Sequence, residues 1–152
     1  MGTAQEQRLI SEGTLKREEA HFLPVDSAGE TIVPHGGTVH WNAYRKKWIA
    51  IFTRVGGKDS YLGEIYYAES DLPTGPFMRA VKILTHQNYT FYNPVQHPFL
   101  DLDGGRIIYL EGTYTAEFSG NSNPTPLYNY NQILYRLDLS DPRLRFAESS
   151  TG

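Results

Sequence analysis

Apolar residues in this chain come in short runs with no polar alternation. Trp48-Ile49-Ala50-Ile51-Phe52 is one such run and Ile107-Ile108-Tyr109-Leu110 is another. Successive side chains of a strand point to opposite faces, so these runs describe strands buried on both sides. Turn signals punctuate them. The pattern predicts strands at 38–44, 47–54, 63–70 and 77–84, joined by a tight turn at Arg45-Lys46, a Gly-containing loop at 55–59 and a Pro73-Thr74-Gly75-Pro76 turn. That is a four-stranded antiparallel meander. A second meander starts near Asn93, turns at Asp101-Leu102-Asp103-Gly104-Gly105, runs through 106–114 and resumes at 131–139 after a long polar loop, 115–130. Its fourth strand has only 143–147 available.

The two meanders are near-repeats. Glu64-Ile65-Tyr66-Tyr67-Ala68-Glu69-Ser70-Asp71-Leu72-Pro73 is echoed by Gln132-Ile133-Leu134-Tyr135-Arg136-Leu137-Asp138-Leu139-Ser140-Asp141-Pro142. Repeated small sheets with both faces apolar and no room for covering helices predict sheets packed on sheets from both sides, as in a β-propeller. The expected fold is therefore all-β, a partial β-propeller of about two four-stranded antiparallel blades. Residues 34–86 form the first blade and 87–147 the second, after a stretch at 1–33 that is either an irregular lead-in or the remnant of a preceding blade, with a helix-permissive segment at 16–20, and before a tail at 148–152. Because a propeller has at least four blades, the missing ones are expected from a longer parent chain or from self-association.

Composition narrows the partners. The 152 residues are 39% hydrophobic and 20% charged, with a formal net charge of −3, which gives no electrostatic reason to expect nucleic acid or an anionic membrane surface. No run approaches the roughly 20 apolar residues of a membrane-spanning helix, and the first residues lack the apolar stretch of a signal peptide. With no cysteine, thiolate metal sites and disulfides are excluded. Aromatic residues reach 13%, with 11 tyrosines. They favour strands and offer rings to flat ligands.

Two motifs carry a family resemblance. Ala68-Glu69-Ser70-Asp71-Leu72-Pro73-Thr74-Gly75-Pro76-Phe77 resembles the blade ending of five-bladed propellers of the arabinanase and β-xylosidase type of glycoside hydrolase, and Asp101-Leu102-Asp103-Gly104-Gly105-Arg106-Ile107-Ile108-Tyr109-Leu110 is similar to one of their hairpins. The stretch from His35 through Trp41-Asn42-Ala43-Tyr44-Arg45 to Asn131-Gln132 also resembles uncharacterised bacterial proteins of that build. The resemblance implies a carbohydrate ligand and glycoside hydrolysis by acidic residues contributed from different blades. Where an innermost strand of those enzymes carries an aspartate, this chain offers His40, Asn42 and Asn93.

Within such a blade the first strand lines the central channel, which singles out His40 and Asn42 on the first meander and Asn93, Gln96 and His97 on the second. One end of the blades is expected to gather His35, Arg54, Asn93, Glu111, Tyr114 and the 115–130 loop with Tyr128. Glu111, flanked by Tyr109 and Leu110 at the expected end of a second strand, is the candidate catalytic acid. Inverting hydrolysis needs a second carboxyl group about 6.5–9.5 Å away, and Glu64 and Glu117 are the candidates within this chain. His35, His40, Arg54, Asn42, Asn93, Gln96, His97, Tyr114 and Tyr128 are the candidate substrate-binding set. Tyrosine faces suit sugar C–H groups, and amides suit hydroxyls. The histidine spacing matches no compact ligand motif, so no metal and no other cofactor is expected. The Asp101–Gly105 group reads as Asp-Gly turn chemistry rather than a complete calcium loop. Alternatives to hydrolysis are a non-catalytic carbohydrate-binding or interaction propeller, and an incomplete gene product without activity of its own.

Overall fold

A computed structural model describes residues 2–146. The elements in chain order are α1 (Thr3–Ser11), β1 (Phe22–Val25), β2 (Pro34–Asn42), β3 (Lys47–Arg54), β4 (Glu64–Ser70), β5 (Phe77–Thr85), β6 (Thr90–Gln96), β7 (Ile107–Thr115) and β8 (Tyr130–Asp138), with short 3-10 turns between some of them. Strands β2 to β5 form the antiparallel meander expected from the apolar runs. Strand β1 adds to it in parallel beside β5, giving the order β1-β5-β4-β3-β2, and β6-β7-β8 form a second, three-stranded antiparallel sheet. The fold is all-β apart from α1.

The face shared by the two sheets explains half of each apolar run. Ile49, Ile51, Ile65 and Tyr67 from the first sheet meet Phe91, Ile108 and Leu110 from the second, with Leu139 and Leu144 closing the end. The other half of the Trp48–Phe52 run faces outward, where Ala50, Phe52, Tyr66, Ala68, Phe77 and Ala80 are also buried. Here the lead-in supplies the cover. Phe22 places its ring 5.0 Å from that of Phe52 and 4.6 Å from that of Phe77, and Ile32 is completely buried beside them. Removing such side chains from water contributes about 1.5–3 kcal/mol each, which is why a continuous apolar strand is stable only when covered twice.

Three expectations need correction. The lead-in is not irregular: it carries α1 and β1, and its α-helix lies at Thr3–Ser11, while 16–20 holds the 3-10 turn Arg17–Glu19. A buried carboxylate docks that helix, since Glu6 accepts from the His21 backbone N–H at 3.1 Å and lies 2.8 Å from His21 Nδ1. Burial pushes the Glu6 pKa up, but these hydrogen bonds outweigh it and hold the group below its ordinary value. The second sheet has no fourth strand from 143–146: after β8 the chain turns at Pro142–Leu144, where Asp141 caps the turn by accepting from the Arg143 N–H. Proline at the first position of that turn has no N–H to offer a ladder. Ala147, the last residue of the expected strand, and the expected tail at 148–152 lie outside the described residues. Finally, Glu111 is not at a strand end. Strand β7 continues to Thr115, so Glu111 sits mid-strand between Val95 and Leu134.

The 115–130 loop is held by its own amides. Asn129 Oδ1 accepts from the Ala116 N–H at 3.2 Å, Thr125 Oγ1 donates to the Tyr128 carbonyl at 2.6 Å, and Asn121 Nδ2 reaches the Asn88 carbonyl at 3.3 Å.

Candidate functional site

Strand β2, which opens the β2–β5 meander, and β6, which opens the second sheet, are edge strands that pack against one another. Parity decides which side chains enter the seam between them. His40 is the rung partner of Ile49 and Thr38 that of Ile51, so Thr38, His40 and Asn42 share the face of the inter-sheet core. Gln96 is the partner of Leu110 and faces the same core. The seam is fastened by polar groups: the Gln96 N–H donates to Thr38 Oγ1 at 3.1 Å, and Asn42 Nδ2 donates to the Gly105 carbonyl at 2.7 Å. Asn42 Oδ1 also accepts from the Arg45 N–H at 2.8 Å, so both ends of this buried amide are used in holding the turns. Gly105 has φ 92°, and a Cβ there would lie 2.9 Å from Asn42 Nδ2, so the turn requires glycine.

Gln96 differs from Asn42. It is 2% exposed, yet neither its Nε2 nor its Oε1 reaches a hydrogen-bonding partner at good geometry. Asp101, which follows the 3-10 turn Pro98–Leu100, joins the same place, and its Oδ1 is buried without a partner. Burial raises the Asp101 pKa, while the nearby His40 charge and the Gln96 amide act in the opposite direction. Amide and carboxyl are thus close enough to influence each other without closing a well-formed hydrogen bond. Unpartnered buried polar atoms cost about 1–3 kcal/mol each, so three in one place are exceptional.

The remaining candidates lie elsewhere. Glu111 and His97 meet on the opposite face of the second sheet, with Oε1 3.3 Å from Nε2, beside partly exposed Val95 and Leu134. Arg54 is on the outer face of the first sheet, where its guanidinium meets Glu30 at 2.5 Å, Glu64 at 3.8 Å and the Tyr66 hydroxyl at 3.4 Å. Burial, opposed by Arg54, leaves the Tyr66 phenol pushed up to about 12. Glu64 serves this same network, accepting from the Lys58 N–H at 2.9 Å. Tyr114 packs in the core side of the second sheet with its ring 4.5 Å from His86, whose pKa is lowered by burial. Glu117 lends its backbone carbonyl to Thr90 Oγ1 at 2.7 Å. His35 and Asn93 are exposed, Asn93 at φ 51° in a bulge of β6, and Tyr128 is 73% exposed in the loop. The structure therefore unites His40, Asn42 and Gln96, pairs His97 with Glu111, and separates these from Arg54.

Asp101 is the residue that sequence reasoning missed, because Asp-x-Asp-Gly reads as a turn. Its position five residues after Gln96, past a proline that bends the chain back, was the available signal. Roomier grooves lie away from the seam: one of about 560 Å³ by Arg45, Glu69 and Phe146, one of about 490 Å³ by Val25, Arg79 and Phe146, and one of about 350 Å³ by Arg54 and Glu64. Among the described residues no group of three His, Cys, Asp or Glu side chains is arranged to hold a metal ion, and no helix is long and apolar enough to cross a membrane. Comparison of this chain with protein-family models, with curated proteins and with solved structures returns no match.

Proposed function

We propose that this chain is a segment of a carbohydrate-active β-propeller of the glycoside hydrolase type, binding a neutral polysaccharide along the first strands of its sheets. The observation that carries the reading is the abutment of β2 and β6, which brings His40, Gln96 and Asp101 from separate sheets to one seam. Two edge strands meeting along polar positions, each followed by an apolar strand, is the arrangement expected of inner strands around a shared axis. The near-repeat of the two meanders supports it, as does the covering of both faces of the first sheet. Further blades come from a longer parent or from another copy. They would also cover the exposed apolar residues Val95 and Leu134 on the far face of the second sheet.

For hydrolysis, Glu111 is the proposed acid, 3.3 Å from His97, and it would serve a sugar unit reaching the far face of the second sheet rather than one held at the seam. Glu111→Gln in the parent protein is expected to lower polysaccharide hydrolysis by at least 100-fold with binding retained, which reducing-end release and titration measure separately. Unchanged hydrolysis would reject that role. A second reading, a non-catalytic carbohydrate-binding propeller, is favoured by the placement of Glu111 on the face away from the seam. Binding of a polysaccharide without product release distinguishes it.

A further inference from the structure

We propose that the free edge of β8 is a dimerisation surface, on which β8 of a second copy of this chain pairs antiparallel about a two-fold axis through Leu134. The inference goes beyond the carbohydrate reading and does not rest on it. Among the described residues β8 is paired on one side only, and no backbone hydrogen bond from outside its sheet reaches 131–137. The other strand edges are blunted. Strands β2 and β6 abut one another at the seam, β6 carries Pro94 and a bulge between Tyr92 and Val95, and β1 is four residues long and includes Pro24. Strand β8 has none of these devices: its nine residues, Tyr130–Asp138, keep unbroken register with β7 and contain no proline, glycine or bulge. A long, flat, open edge is a template for another strand.

Two observations point to a strand in that place. Ile133, Tyr135 and Leu137 share the face of the inter-sheet core, as rung partners of Gly112, Leu110 and Ile108, yet they are only partly buried. In the near-repeat, 64–73 corresponds to 132–142, so β8 is the counterpart of β4. Strand β5 lies antiparallel along the far side of β4, whereas the described chain turns away from the equivalent place beside β8 at Pro142–Leu144. The residues of β8 suit their own copy. Leu134 is the middle residue of the nine, so a two-fold axis there maps the strand onto itself over every rung, and Leu134, 51% exposed, meets the partner's Leu134. Ile133 then faces the partner's Tyr135, while the two charged residues, Arg136 and Asp138, face the partner's Gln132 and the partner's Tyr130. No like charges oppose one another. The contact closes on itself, which gives a dimer rather than a fibre, and it lies on the side of the second sheet away from β6, leaving the seam open.

The test measures the full 152-residue chain by sedimentation equilibrium from about 1 to 500 µM, the range of a weak interface. A single monomer–dimer equilibrium is expected. Monomer throughout, the result if that place is kept for a strand of a longer parent, overturns the inference, as do species larger than a dimer. Variants with unchanged circular dichroism then read the register. Gln132→Glu, set against the partner's Arg136 at two symmetric places, should tighten the dimer about threefold or more at low salt, and Gln132→Lys should weaken it by as much. Shifts of the same sign overturn the pairing. Because the chain has no cysteine, Leu134→Cys puts a single thiol on the axis, and mild oxidation should form a disulfide-linked dimer about tenfold faster than with Leu127→Cys, although Leu127 is 94% exposed. Equal rates overturn it. Each of these failures leaves the carbohydrate reading standing, since none involves a glycan.

Discussion

Leu110 and Leu134 occupy neighbouring rungs of β7 and β8 but opposite faces of the second sheet, so truncating each to alanine measures how the two faces are covered. Leu110 is 2% exposed among Ile49, Ile108 and Phe91, whereas Leu134 is 51% exposed beside Glu111. Removing three buried carbons at about 0.8 kcal/mol each gives about 2.4 kcal/mol, and the partly collapsed cavity raises Leu110→Ala to about 3–4 kcal/mol. Half of the Leu134 side chain is already in water, so Leu134→Ala is expected to cost about 1 kcal/mol. For a chain of this size a urea slope of about 2 kcal/mol/M turns that gap into a midpoint difference of about 1 M, read by tryptophan fluorescence at a concentration where the chain is monomeric. Equal losses at the two positions would refute the reasoning. They would mean that the face carrying Glu111 is as thoroughly covered as the one between the sheets.

Gly112→Ala places a Cβ 2.7 Å from the Phe91 ring and is expected to destabilise by about 1–3 kcal/mol in the same urea assay; a neutral result would show that Phe91 does not pack over β7. His86, ringed by Phe91, Tyr114 and Tyr135, has its pKa lowered by burial, so the unfolded chain binds its proton more readily. Stability should therefore fall as pH drops from about 6.5 through the lowered folded-state value, and His86→Gln should flatten that part of the pH–stability curve. Parallel curves for the two proteins would contradict this. Asp101 has the opposite sign: its raised folded-state pKa means that an unfavourable contribution at neutral pH is relieved as pH falls toward the ordinary aspartate value. Asp101→Asn is expected to gain melting temperature at pH 7 and to lose that advantage on acidification. An advantage independent of pH would show that the carboxyl does not titrate in the seam.

Strand positions were legible in the sequence wherever apolar runs and Gly or Pro turns coincided. The four-stranded meander from β2 to β5 follows from Trp48–Phe52, Glu64–Ser70 and the turn before Phe77, since both faces of those runs demanded cover. What the sequence concealed was who provides that cover. Phe22 and Ile32 sit in a polar stretch without period, and only their docking on Phe52 and Phe77 makes a strand of Phe22–Val25. The candidate site divided for a related reason. Residues gathered by chain position, such as Arg54 and Glu111, were separated by strand parity, because one residue of displacement moves a side chain to the opposite face. Asp101 went unnoticed as a site residue because its role depends on a contact with β2, some 60 residues earlier in the chain.

The account's central claim, carbohydrate recognition through the seam of first strands, is tested most directly by a glycan array probed with the native chain and with the double variant Gln96→Leu/Asp101→Asn. Signal on neutral glycans is expected for the native chain, with loss of that signal in a double variant that remains folded by circular dichroism. A blank array for the native chain, or an identical pattern for both proteins, would contradict it.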